Sequence, residues 1–126
     1  MSSKKIYRVT LFKIPEKADQ HKLIEMYREM PHKALKVCAS VFVLHCLGQY
    51  AYNGQGGKPY IIHVNAGEAI DDQRNQGYTL VATSVFASRE DMEYYDNDCE
   101  AHAALKAVAK RSHNGAMMVF FESALE

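Results

Sequence analysis

The feature that most constrains this chain is its last strand-like run. Met117-Met118-Val119-Phe120-Phe121 is apolar at every position, so both faces of the strand it forms need cover. Residues 78–87 raise the same demand. Tyr78, Leu80, Ala82 and Phe86 share one face, Thr79, Val81, Thr83 and Val85 share the other, and neither face is charged. Two more runs read as strands. Residues 6–14 are rich in β-branched and aromatic residues and stop at Pro15, and residues 59–66 are closed by Gly67.

Helical spacing appears twice between these strands. Residues 16–35 carry Leu23, Met26, Tyr27 and Met30 on one face, with Pro31 expected to end or kink the helix. Ser88-Arg89-Glu90-Asp91 has the spacing of a capping box and opens a second helix with Met92 and Tyr95 inward. Asp96-Asn97-Asp98 interrupts that helix. Asp98 is then expected to cap a further segment whose inward face is Ala101 or His102, Leu105, Val108 and Ala109.

The order is strand, helix, strand, strand, helix, strand. This predicts an α+β, ferredoxin-like βαββαβ protomer. Its helices cover only one face of a four-stranded sheet. A bare second face would exceed the apolar patch of roughly 300–600 Å² that soluble monomers expose. A second copy of the same sheet is the simplest cover, so a two-fold homodimer is expected.

Length and charge narrow the function. A chain of 126 residues predicts one domain. Fifteen basic residues balance fifteen acidic ones, which argues against a nucleic-acid partner. The most apolar stretch, residues 37–47, is about half a membrane span and contains His45, so no membrane partner is expected. The two N-terminal lysines lead into a strand rather than an apolar signal core. Three cysteines, an odd number without a pairing motif, suit a reducing compartment. Both point to the cytoplasm.

Three blocks then carry a resemblance. They are Gly57-Lys58-Pro59-Tyr60-Ile61 with Ala66-Gly67; Asp72-Gln73-Arg74 with Gln76-Gly77-Tyr78-Thr79; and Phe86-Ala87-Ser88 through Asp91-Met92, Tyr94-Tyr95-Asp96, Cys99, Ala101-His102 and Leu105-Lys106. Together they resemble the stress-responsive A/B barrel (Dabb) family, closely over 57–122 and more loosely over 6–30. The resemblance implies a dimeric α/β barrel made from two ferredoxin-like sheets. Residues 37–54 have no counterpart in it and read either as an insertion or as a translated intron.

The family holds stress-induced proteins with no clear reaction and cofactor-free polyketide cyclases. The cyclases move protons with histidines and a tyrosine, and His102 stands where their helical histidine stands. Arg8 and Leu80 stand where the cyclases carry two further histidines. Arginine cannot act as a base, though it can hold a carboxylate or phenolate. His102 is therefore the catalytic candidate, and Arg8, Tyr60, Tyr78 and Tyr95 are the ligand-binding candidates. Each also has a structural reading: His102 as a packed hydrogen-bonded residue, Arg8 in an interface ion pair, and the tyrosines as core aromatics.

Other patterns carry less. Cys99 reads as a small buried residue rather than a reactive thiol. Asp96, Asp98 and Glu100 alternate like a calcium loop but lack its glycine and distal glutamate, so they read as helix-capping acids. The histidines lack metal-ligand spacing, and the glycines before Lys58 lack that of a phosphate loop. Neither a metal nor a cofactor is expected. The reading is a small dimer with a small apolar or phenolic ligand cavity and no assured catalysis. The alternative is a cofactor-independent, cyclase-like proton-transfer enzyme using His102.

Overall fold

The computed structural model describes residues 4–36 and 57–126. The unmatched stretch 37–54 lies outside the described residues. In chain order the elements are β1 (Ile6–Lys13), α1 (Lys17–Lys33), β2 (Leu35–Lys36), β3 (Lys58–Pro59), β4 (Ile61–Glu68), β5 (Leu80–Phe86), α2 (Arg89–Asn97), α3 (Glu100–Ser112) and β6 (Gly115–Glu122). A 3₁₀ turn at Gln73–Asn75 precedes β5. The main sheet runs β4-β5-β1-β6 and every pairing in it is antiparallel. This is the ferredoxin-like α+β architecture, with a short separate pair made by β2 and β3.

Register sorts the side chains into two faces. Arg8 lies opposite Ser84 on β5 and Phe120 on β6, and Thr10 opposite Ala82 and Met118. Even-numbered residues of β1, β5 and β6 thus share the helix-covered face. There Ile6, Phe12, Leu80 and Phe86 of the sheet meet Leu23 and Met30 of α1 and Leu105 of α3, all buried. Each such side chain contributes about 1.5–3 kcal/mol relative to exposure.

The odd-numbered residues form the other face. Tyr7, Val9 and Leu11 sit beside Val81, Thr83 and Val85 on one side and Met117, Val119 and Phe121 on the other. No helix of the described residues covers them. Val119 is 53% exposed and Phe121 48%. Among the described residues, no helix is long and apolar enough to cross a membrane.

Three local details differ from the sequence expectations. Pro31 sits inside the last turn of α1 instead of ending it, and the Ala34 N–H still closes that turn on the Met30 carbonyl at 2.8 Å. So near the C-terminus, the missing proline N–H removes only a terminal bond. Ser88 does cap α2, accepting from the Asp91 N–H at 3.2 Å, but the Asp91 carboxylate turns away to pair with Lys36 at 2.6 Å. Asp98 ends α2 rather than starting α3, whose N-cap is Cys99, without a side-chain cap bond.

Candidate functional site

The break between α2 and α3 builds the site. The N–H groups of Asp98 and Cys99 both donate to the Tyr94 carbonyl, at 2.8 and 3.0 Å. The Tyr95 carbonyl is thereby left out of the helical ladder, and such an orphan needs a partner. His102 supplies it. Its Nδ1 lies 2.8 Å from the Tyr95 oxygen, and its ring stacks on the Tyr95 ring with centroids 3.6 Å apart and planes 9° apart. A carbonyl only accepts, so Nδ1 carries the proton and Nε2 keeps a lone pair. Nε2 has no hydrogen-bond partner among the described residues.

Arg8 lies on the same assembly from the sheet side. Its guanidinium carbon is 5.3 Å from the Tyr95 ring centroid, and one terminal nitrogen is 2.9 Å from both Asp96 carboxylate oxygens. Sequence analysis offered Arg8 an interface ion pair. Strand alternation instead turns it toward the helices, where it pairs within its own chain. Its other guanidinium N–H donors have no partner among the described residues. Asp96, read from sequence as a helix-capping acid, is the counter-charge for this buried arginine.

Arg8, Tyr95 and His102 line a cavity of about 290 Å³ between β1, β5 and α3. Ser84, Thr10 and Phe12 contribute its sheet wall, and Tyr27 reaches in from α1. From α3 come His102, Leu105, Lys106, Ala109 and Lys110, with His113 just past its end. A cavity of this size holds a small organic molecule.

Burial pushes the His102 pKa down to about 4. The Tyr95 carbonyl opposes that shift, the Arg8 and Lys106 cations reinforce it, and Asp96 opposes it. The ring is therefore neutral at pH 7. Burial also raises Tyr27 and Tyr95, so both phenols stay protonated. A stability prediction follows from His102. Its native pKa lies below the unfolded value of 6.5, so the unfolded chain binds the extra proton as pH falls from 6.5 toward 4. The neutral burial is fully tolerated above that window, and about 3 kcal/mol is lost across it. Urea unfolding at pH 7 and pH 4 should show this loss in the wild type and not in His102→Asn. Equal losses in both proteins would remove His102 as the source.

Three of the five sequence candidates come together here: Arg8, Tyr95 and His102. Tyr60 and Tyr78 do not join them. Tyr60 packs beyond Phe86, with ring centroids 6.3 Å from Phe86 and 5.3 Å from Tyr94, and burial raises its pKa. Tyr78 lies under the Lys13 ammonium, 4.9 Å from its ring centroid. Cys99 is buried. The sequence reading did not place Tyr27, Asp96, Lys106, Lys110 or His113 at the site. The last three were findable, because they follow His102 by 4, 8 and 11 residues, which is one helical stripe. Among the described residues, no group of His, Cys, Asp and Glu could hold a metal ion.

Fold and cavity define a ferredoxin-like protein with a pocket between sheet and helix. Solved structures share this fold over nearly the whole chain. A hydroxynitrile lyase from Passiflora edulis matches with a TM-score of 0.70 and 9% identity, covering 98% of this chain and 96% of that one. A dimeric ferredoxin-like protein of unknown function from Thermobifida fusca gives 0.67 at 11% identity, covering 96% and 92%. SnoaB, a cofactor-independent oxygenase from Streptomyces nogalater, gives 0.59 at 8% identity, covering 96% and 94%. In sequence, a fusaristatin A biosynthesis cluster protein of Gibberella zeae is 37% identical over 119 residues, which is 94% of this chain and 72% of the relative. The stress responsive A/B barrel domain model matches residues 6–120, and the chain belongs to that family.

Proposed function

We propose that this chain is a homodimeric protein of small-molecule metabolism whose cavity moves a proton through His102, without a cofactor. One observation carries the reading. The imidazole is divided between a structural nitrogen, Nδ1, fixed on the Tyr95 carbonyl at 2.8 Å, and an unpartnered Nε2 on a cavity-lining ring. A histidine fixed in one tautomer on the wall of a cavity is the arrangement a general base requires.

In this reading Nε2 takes a proton from an acidic C–H of the bound molecule, and the electron pair stays behind as an enolate. The donors of Arg8 not tied to Asp96 hold the developing oxyanion. A negative charge beside the ring favours the imidazolium, so His102 becomes a stronger base as the reaction proceeds. The imidazolium then returns the proton to another atom of the same molecule, and nothing is consumed.

Several observations support the reading. The relative at 37% identity is named for a biosynthesis cluster, and two structural neighbours are named as a lyase and a cofactor-independent oxygenase. Structural neighbours are described as dimeric, and the open apolar sheet face suits a second copy. The cytosol is the compartment that an odd number of cysteines suits. A second reading, binding without turnover, is favoured by the burial of His102, which lowers its pKa and makes it a weak base.

The first test is native mass spectrometry of the protein purified from its own source. The expected species is a dimer carrying a small organic molecule on each protomer. A monomer would overturn the barrel dimer, and an empty dimer would overturn the occupied cavity.

A further inference from the structure

We infer that the ligand of this cavity is an elongated organic anion, with a carboxylate held at the Lys110 end and its reacting carbon near His102. The inference rests on the proposed function and names its substrate class. Its basis is the charge of the lining. The buried Arg8 and the exposed Lys106 and Lys110 bring three cations, His102 and His113 bring two imidazoles, and among the described residues no Asp or Glu lines the cavity. The Asp96 carboxylate, which meets the cavity-lining Arg8 at 2.9 Å, is taken up by that pair.

The cations differ in how far they are engaged. Arg8 is tied to Asp96, and Lys106 Nζ donates to the Asp96 carbonyl at 2.7 Å. Arg111, which follows Lys110 on α3, donates to the Ala107 carbonyl at 3.2 Å and serves its own helix end. Lys110 makes no ion pair or hydrogen bond with a described residue. Beside it, His113 Nδ1 is buried with no hydrogen-bond partner among the described residues. An unengaged ammonium at one end of a cavity that presents three cations is a charge without a counter-ion, and a carboxylate supplies one.

The helix sets the length of the ligand. His102 and Lys110 are eight residues apart on α3, roughly 12 Å along its axis. Between them the wall is Leu105 and Ala109, with Phe12 across from the sheet. The ligand therefore needs an apolar body between its acid group and its reacting end. A small apolar or phenolic ligand, as expected from sequence, leaves the Lys110 end unused.

The test compares biphenyl-4-carboxylate with biphenyl-4-carboxamide, two probes of matched shape that differ in charge. Calorimetry on the full chain at pH 7 and low salt should find the acid bound at least about tenfold tighter. Lys110→Met should bring the two within about threefold, and Lys110→Arg should keep the preference. The His102 ring resonances should shift on binding the acid. If the amide binds as well as the acid while shifting His102, the anion inference falls and the cavity reading stands. A preference unchanged in Lys110→Met, or binding that leaves His102 unshifted, places the charge contact elsewhere and overturns the inference. If neither probe binds, both the inference and the reading beneath it fail.

Discussion

Replacing His102 with Asn should slow proton exchange on the bound molecule by on the order of 10²-fold or more. The probe is the small molecule that copurifies with the protein. The measurement is exchange of its acidic C–H protons for solvent deuterium, followed by NMR. Asn is chosen for its geometry. Its amide N–H can still donate to the Tyr95 carbonyl, which Nδ1 meets at 2.8 Å, while the basic Nε2 is gone. The helix break should therefore persist, and affinity should change by less than about threefold. His102→Ala removes both nitrogens and the stack on Tyr95, so it should lose stability as well as rate. A merely structural histidine gives the opposite pattern: Asn would restore everything that Ala removes. Equal exchange in the wild type and in His102→Asn would sink the catalytic assignment and leave a binding protein.

The second large effect is on assembly. Val119→Asp should convert a dimer into a monomer at micromolar concentration, as read by light scattering on a sizing column. Val119 lies mid-strand on the open face, 53% exposed within one chain, so the substitution puts little strain on the protomer. In a sheet-to-sheet dimer each Asp would be buried without a partner, and two-fold symmetry introduces it twice. An unpaired buried charge costs several kcal/mol, and each ~1.4 kcal/mol is a factor of ten in Kd, so a loss of 10³-fold or more is expected. A wild-type chain that already runs as a monomer would rule out the dimer. So would a variant that stays dimeric.

The fold was legible for the reason that also led to the dimer expectation. Alternation in Leu80, Ala82 and Phe86 and the doubly apolar Met117–Phe121 run depend on local geometry, and the observed register follows them. Helical spacing likewise placed Leu23, Tyr27, Leu105 and Val108 on buried faces. What stayed hidden was pairing across long sequence distance. Nothing local in Arg8 or Asp96 announces that they meet, since that depends on where the sheet and the helix break lie in space. Tyr60 and Tyr78 were grouped with Tyr95 by residue type alone, and the fold separates them because one packs beyond Phe86 and the other sits before β5. The cap of α3 went to Cys99 rather than Asp98 because the N–H groups of Asp98 and Cys99 both converge on the Tyr94 carbonyl.

That convergence makes the segment from Tyr95 to His102 a ruler. An α-helix turns about 100° per residue, so adding or deleting one residue before α3 would swing His102 a quarter-turn or more off the Tyr95 carbonyl. Leu105, Ala109 and Lys110 would swing with it and leave the cavity wall. The spacing between these two aromatic side chains thus carries information that their identities do not. In laboratory evolution of this chain, most loops should accept insertions, while the four residues from Asp96 to Cys99 should not vary in number and only Asn97 and Asp98 should vary freely in kind.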